Sequence, residues 1–258
     1  MLSAATLGRV LVAFSALAIA LFFTLIDPVP QDPAYHAFAD TRLILGVANF
    51  WNVMTNLPFL LVGVYGLFLV TNNSGAVGDP DLRWPWIVFF AGVTLTAFGS
   101  GWFHLAPSNG SLVWDRLPMT LGFAGLFAIV IGEYLSPRVA RKLLIPFLVA
   151  GAASVYYWHV TESAGNGDLR PYAVVQFLPV LLIPAMLILR RDASDLTGAF
   201  WLLTLFYVAA KLLEHFDDGV YDALQEMSGH ALKHVVAAVS PAILIHALHR
   251  RLERPPGD

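Results

Sequence analysis

Ser100-Gly101-Trp102-Phe103-His104, then Asp115, then His230-Ala231-Leu232-Lys233-His234 are polar clusters in a chain that otherwise reads as membrane helix. Ionisable groups at membrane depth are costly, face a bundle interior or cavity, and usually mark function. Around them the chain is 57% hydrophobic and only 13% charged, where a soluble domain carries about 25% charge. Mean hydropathy is +0.67. These values exclude an ordinary soluble domain. A net charge of -3 gives no reason to expect nucleic acid as a partner. Cysteine is absent, which removes thiolate metal sites, catalytic thiols and disulfides. Histidine and carboxylate remain as metal ligands.

A spanning helix needs about 20 mostly apolar residues. Such runs fall at 8–26, 47–70, 84–106, 112–134, 141–161, 171–190, 197–216 and 229–249, separated by turn sequences such as Asp27-Pro28-Val29-Pro30 and Ser108-Asn109-Gly110. The expected fold is therefore an all-α integral membrane protein, a single domain of eight spans. Arg9 followed by the apolar run Val10 to Ile26 fits a signal peptide or a first span, and an uncleaved helix is the reading adopted. The tail Arg254 to Asp258 is expected to be disordered.

Orientation follows the lysine and arginine bias. Arg9, Arg83, Arg138, Arg141, Lys142, Arg190, Arg191, Arg250, Arg251 and Arg254 fall on one set of alternate ends and loops. The opposite set holds Arg42, Arg116 and Arg170. Both termini are thus expected in the cytoplasm. His104 then ends an outward span, and Asp115, His230 and His234 begin inward ones. All the polar clusters fall in one outer layer, a result that their composition alone does not require.

His230 and His234 stand at i and i+4, on one face of a helix. With His104 they offer three nitrogen ligands and leave a fourth position open, the pattern of catalytic zinc. Such a site activates water, lowering its pKa to about 7. Asp115 is placed to take and return a proton, and Ser100 to donate to a developing oxyanion. Each residue also has a plainer reading. An isolated HxxxH pair is more often structural, a histidine at a helix end often faces the interface, Asp115 suits a helix first turn, and Ser100 suits close helix packing. Their shared depth favours the joint reading.

The motifs then bring out a resemblance. Asn49-Phe50-Trp51-Asn52 through Asn56 resembles the EFWNTxSN opening motif of alkaline ceramidases. Gly99 to His104 followed by Trp114-Asp115-Arg116-Leu117-Pro118-Met119 is similar to their GSxxFH…LDELPM stretch, and Gly229 to His234 to their closing HxxWH. The likeness runs from about Asn49 to His234. The superfamily also holds adiponectin and progestin receptors and lipid-remodelling hydrolases. The resemblance implies zinc on His104, His230 and His234, proton transfer by Asp115, and Ser100 beside the reacting water. It implies a seven-helix bundle, here 47–250, with 1–46 as an added N-terminal helix and outer loop and 251–258 as a tail. It implies cleavage of a ceramide-like lipid into fatty acid and long-chain amine. The family also carries calcium, but Asn49 stands where its ligand glutamate would be, and the segment Asp27 to Asp40 lacks the ligand pattern. Arg116 and Lys233 replace a glutamate and a tryptophan of the motifs, and Lys233 either snorkels to the interface or meets a polar lipid head.

Other polar residues read as supports of the site. Glu214 and His215 are expected to orient a zinc histidine from behind, as are Asn52 and Asn56 on the face they share with Thr55. Glu214 to Glu226 reads as an acidic outer loop. The membrane expected is a bacterial inner membrane with the site toward its outer face. The alternatives are an ester-cleaving lipid hydrolase on the same site, a receptor-like protein with structural zinc, and a transporter or b-type haem protein. The i,i+4 pair argues against the last.

Overall fold

The computed structural model describes residues 3–254. The rest of the tail, 255–258, lies outside them. The helices are α1 Ala4–Leu25, α2 Phe50–Met54, α3 Leu57–Asn72, α4 Arg83–Leu105, α5 Asn109–Tyr134, α6 Pro137–Ser163, α7 Arg170–Leu189, α8 Thr197–His215, α9 Asp217–Leu224 and α10 Gly229–Leu252. With α2 and α3 taken together, 8 segments are long and apolar enough to cross a membrane. Each falls on a run read from the sequence. This is an all-α, multi-pass membrane protein, and the described residues form no strand.

Local chemistry fixes the ends. Ser108 and Ser111 form a reciprocal capping box at the start of α5, and Ser136 caps α6 with Pro137 in its first turn. Ser228 caps α10 by accepting from the amide of Ala231 at 3.2 Å. These groups satisfy orphan amides at helix starts. α1 buries only Leu7 of its length. It is tied at its far end by Arg170, whose Nη1 donates to the Ile26 carbonyl at 2.7 Å. Its apolar sides face outward, as a helix against lipid must.

The second span differs from its expected form. It begins at Phe50 rather than 47, because Leu45 (φ 53°) and Gly46 (φ 81°) turn the chain sharply between Ile44 and Val47. It is also broken at Thr55–Asn56. Pro58 has no amide to donate back along the helix and crowds the preceding turn. The Asn56 amide turns to the Val53 carbonyl at 3.2 Å, and its side-chain Nδ2 donates to the Asn52 carbonyl at 2.7 Å in its place. Backbone groups at membrane depth must be satisfied internally, and here a side chain contributes.

The acidic segment expected as a loop is partly helical, as α9. At the end of the bundle away from the polar clusters, Arg251 Nη1 reaches Glu133 at 2.9 Å and the same guanidinium pairs with Asp195, while Arg141 pairs with Asp81 at 3.2 Å. Much of the arginine-rich set thus gathers at one end, as the charge bias required. The main core, around Trp86, Phe90, Tyr134, Met186 and Phe200, lies in that half. A smaller aromatic cluster of Phe38, Phe103, Trp158 and Tyr172 backs the polar clusters.

Helices in lipid gain little from hydrophobic burial against one another, so close approach through small residues holds them. α4 and α5 meet this way. A Cβ on Gly125 would sit 2.5 Å from the Phe89 backbone nitrogen, and one on Gly99 would overlap the carbonyl oxygen of Trp114. Gly99 therefore sets the spacing between Ser100 and His104 on one helix and Asp115 on the other. Gly99→Ala should cost about 1–3 kcal/mol as an overpacked contact, read as a lowered melting temperature in detergent. Gly101→Ala, where no atom lies within 4 Å of the new methyl, should leave it unchanged.

Candidate metal centre

His104 ends α4, and His230 and His234 occupy the first two turns of α10. All three are buried, and one ligand nitrogen from each lies within 4.8 Å of the others. The imidazole centroids are 4.9 Å apart for His104 with either partner and 5.3 Å for His230 with His234. Nδ1 of His104 and Nε2 of His230 are buried with no hydrogen-bond partner among the described residues. A buried polar atom left unpaired costs about 1–3 kcal/mol. Three imidazoles that each bring a nitrogen to one small region could hold a metal ion, and an imidazole donor set suits zinc among the first-row metals.

His234 is oriented from behind. The Thr55 hydroxyl lies 2.6 Å from the Trp51 carbonyl and 3.1 Å from His234 Nδ1, so one ring nitrogen of His234 has a hydrogen-bond partner behind it. Such a partner orients an imidazole and leaves Nε2 as the nitrogen that can face a metal. The break in the second span thus places the hydroxyl that holds this ring. Asn49, in a left-handed conformation (φ 50°) at the start of α2, donates from Nδ2 to the free carbonyl of His104 at 2.8 Å. Asp217 accepts from the backbone amides of His230 at 2.6 Å and Ala39 at 3.0 Å, joining α10 to the loop above the site. That loop lays the Phe38 ring 4.7 Å from His104 and 4.8 Å from His230, centroid to centroid.

Ser100, Asp115 and the three histidines line one cavity of about 360 Å³, together with Tyr35, Arg116, Lys211, Glu214 and Lys233. Ser100 approaches the Asp115 carboxyl. Farther down, the walls are apolar, with Phe89, Val93, Leu126, Leu203 and Pro241. The volume lies in the range of small-molecule sites. Arg116 is buried, donates to Gln31 Oε1 at 2.6 Å, and lies 4.1 Å from the Trp158 ring and 4.8 Å from that of Tyr172.

The remaining expected supports fall as follows. Asn52 Nδ2 donates to the Asp40 carbonyl at 2.9 Å and Asn56 bonds back along its own helix, so Thr55 takes the place at the histidine expected of them. Glu214 bonds Lys211 at 2.6 Å and also Lys233, rather than a histidine of the cluster. His215 is exposed and packs on Phe216.

Calcium does not fit the residues present. It takes 6–8 oxygen ligands, carboxylates prominent among them, but Asn49 brings a neutral amide, and the buried carboxylate of Asp40 is held by Arg42 through Nε at 2.9 Å and Nη2 at 2.8 Å. Burial alone would raise the Asp40 carboxyl. The Arg42 hydrogen bonds and charge outweigh it and hold it below the usual carboxylate range. No other metal-competent group of three occurs among the described residues.

The structure brings the three histidines, Asp115 and Ser100, all singled out in the sequence, to one cavity. Phe38, Tyr35 and Asp217 beside them come from loops and a short helix with no motif. The fold and this site define a multi-pass membrane protein with a buried three-histidine group that could hold a metal ion, beside a largely apolar cavity. The chain belongs to the ceramidase family, whose model, described as Ceramidase, matches residues 41–248. No curated protein matches it. Membership makes it a membrane hydrolase of the lipid amide class. Thr55→Val should weaken zinc binding roughly 10–100-fold, measured by competition with a chromophoric chelator. Unchanged affinity would contradict the role given to the hydroxyl.

Proposed function

We propose that the protein is a zinc-dependent hydrolase that cleaves the amide of a ceramide-like lipid into a fatty acid and a long-chain amine. The observation that carries this is the buried histidine cluster with unpaired nitrogens, opening on an apolar cavity that also receives Asp115 and Ser100.

Zinc held by His104, His230 and His234 would supply Lewis acidity that activates water and polarises a carbonyl. The protein's own groups handle the rest. The apolar wall from Phe89 to Pro241 takes the acyl chain and brings the amide to the polar end. Phe38 roofs the histidines and excludes bulk water, which strengthens every charge interaction inside. The Asp115 carboxylate accepts the proton of the attacking water and returns it to the departing amine nitrogen, so the C–N bond breaks with a neutral leaving group. The Ser100 hydroxyl donates to the oxygen that gains negative charge as the carbonyl carbon becomes tetrahedral. Substrate enters sideways from the leaflet that holds the site, which the charge bias assigns to the outer face of the membrane.

The test is fatty-acid release by detergent-purified protein from amide and ester lipids of one acyl chain. Amide cleavage should dominate. Asp115→Asn should lower it roughly 10²–10⁴-fold and Ser100→Ala roughly 10²–10³-fold, with zinc content retained. Release from esters alone would replace the amidase reading with a lipase one, and no release from any lipid would overturn both.

A further inference from the structure

The polar end of the cavity carries more positive charge than any reaction on a neutral lipid needs. Among its lining residues, three cations (Arg116, Lys211 and Lys233) stand against two carboxylates (Asp115 and Glu214). Glu214 on α8 pairs with Lys211 one turn earlier at 2.6 Å and with Lys233 from α10. A single carboxylate thus holds two ammonium groups, and Tyr35 donates to the same Oε1 at 3.5 Å. Each ammonium has three protons to donate and makes one side-chain bond here. Arg116 gives one bond to Gln31, lies against the rings of Trp158 and Tyr172, and keeps its Nη1 buried without a partner among the described residues. All three cations therefore have donors to spare and line the cavity that receives the histidines and Asp115, and the two lysines are the pair whose head groups already meet, at Glu214.

A surplus cation at membrane depth is expensive unless something pairs with it. A structural role for the cluster would need only one lysine on Glu214. A divalent metal held by three neutral imidazoles would add to the imbalance. Lys233 lies between the histidines of α10, and its head group turns inward to Glu214 instead of snorkelling to the interface. Its side chain is 16% exposed.

We propose, building on the hydrolase reading above, that Lys233 and Lys211 bind an oxyanion on the substrate head group, so that the preferred substrate is an N-acyl lipid bearing a carboxylate or phosphate near its amide. The acyl chain occupies the apolar end, the amide lies at the histidines, and the anion meets the two ammonium groups. Ammonium–oxyanion contacts are among the stronger hydrogen bonds. The lysines are positioning and specificity residues in this account.

The experiment uses three amides of one acyl chain: a neutral ceramide, the same ceramide carrying phosphate, and an N-acyl amino acid. Wild type should cleave at least one anionic lipid with kcat/KM about tenfold or more above the neutral one, the factor that one charge-assisted contact supplies. Which anion wins distinguishes phosphate from carboxylate as the source. Lys233→Met should collapse the ratio through KM, and Lys233→Arg should restore part of it. A binding readout stands apart from turnover: an alkyl phosphate or fatty carboxylate should raise the melting temperature of wild type more than the alcohol of equal chain length, and the difference should shrink in Lys211→Met. Equal or better cleavage of neutral ceramide, or equal stabilisation by the alcohol, would overturn the proposal and leave the hydrolase reading standing. If no lipid is cleaved, the hydrolase reading falls, and the melting comparison still decides whether the cavity takes an anion.

Discussion

Three imidazoles buried against one another are the constraint from which the site end of this protein is built. Polar groups at membrane depth must find partners or carry a penalty, and here two ring nitrogens have none among the described residues. The surroundings hold the rings rather than satisfy them. Thr55 meets the ring of His234, Asp217 ties down the backbone of His230, and Asn49 takes the end carbonyl of His104. One contact reaches a ring and two reach backbone, and together they hold in place a group that could receive a metal ion.

The scaffold serves this arrangement through small residues and broken helices. Gly99 lets α4 approach α5 until Ser100, His104 and Asp115 share one cavity. Pro58 interrupts the second span, and the interruption turns Thr55 toward α10. The opposite end is stitched by Arg251, Glu133 and Asp195, far from the chemistry. One half of the bundle is thus a conventional packed core, and the other trades packing for a cavity with a charged mouth.

Much of this was legible in the sequence because its signals are local or periodic. Runs of about 20 apolar residues mark spans, HxxxH puts two imidazoles on one helix face, and the arginine bias brings His104, Asp115 and the pair to one end. What stayed hidden depends on contacts between distant segments. Phe38 and Asp217 carry no motif, and their roles appear only when the loop before α2 folds over α10. Asn52, Thr55 and Asn56 share one face in the sequence, and which of the three meets His234 is set by the helix break. Lys233 was visible as a departure from the family motif, yet its partner Glu214 lies on another helix. Calcium was questionable from Asn49 alone, and the Arg42 pair with Asp40 gives the physical reason.

Whether His104, His230 and His234 together hold a metal ion is decided most directly by elemental analysis of freshly purified protein in detergent, wild type beside His230→Ala. About one zinc per chain in the wild type, lost in the variant while the protein remains helical and monodisperse, is the expected result. Wild type purified without zinc and unable to take it up, or a variant that keeps the metal, would contradict the centre described here.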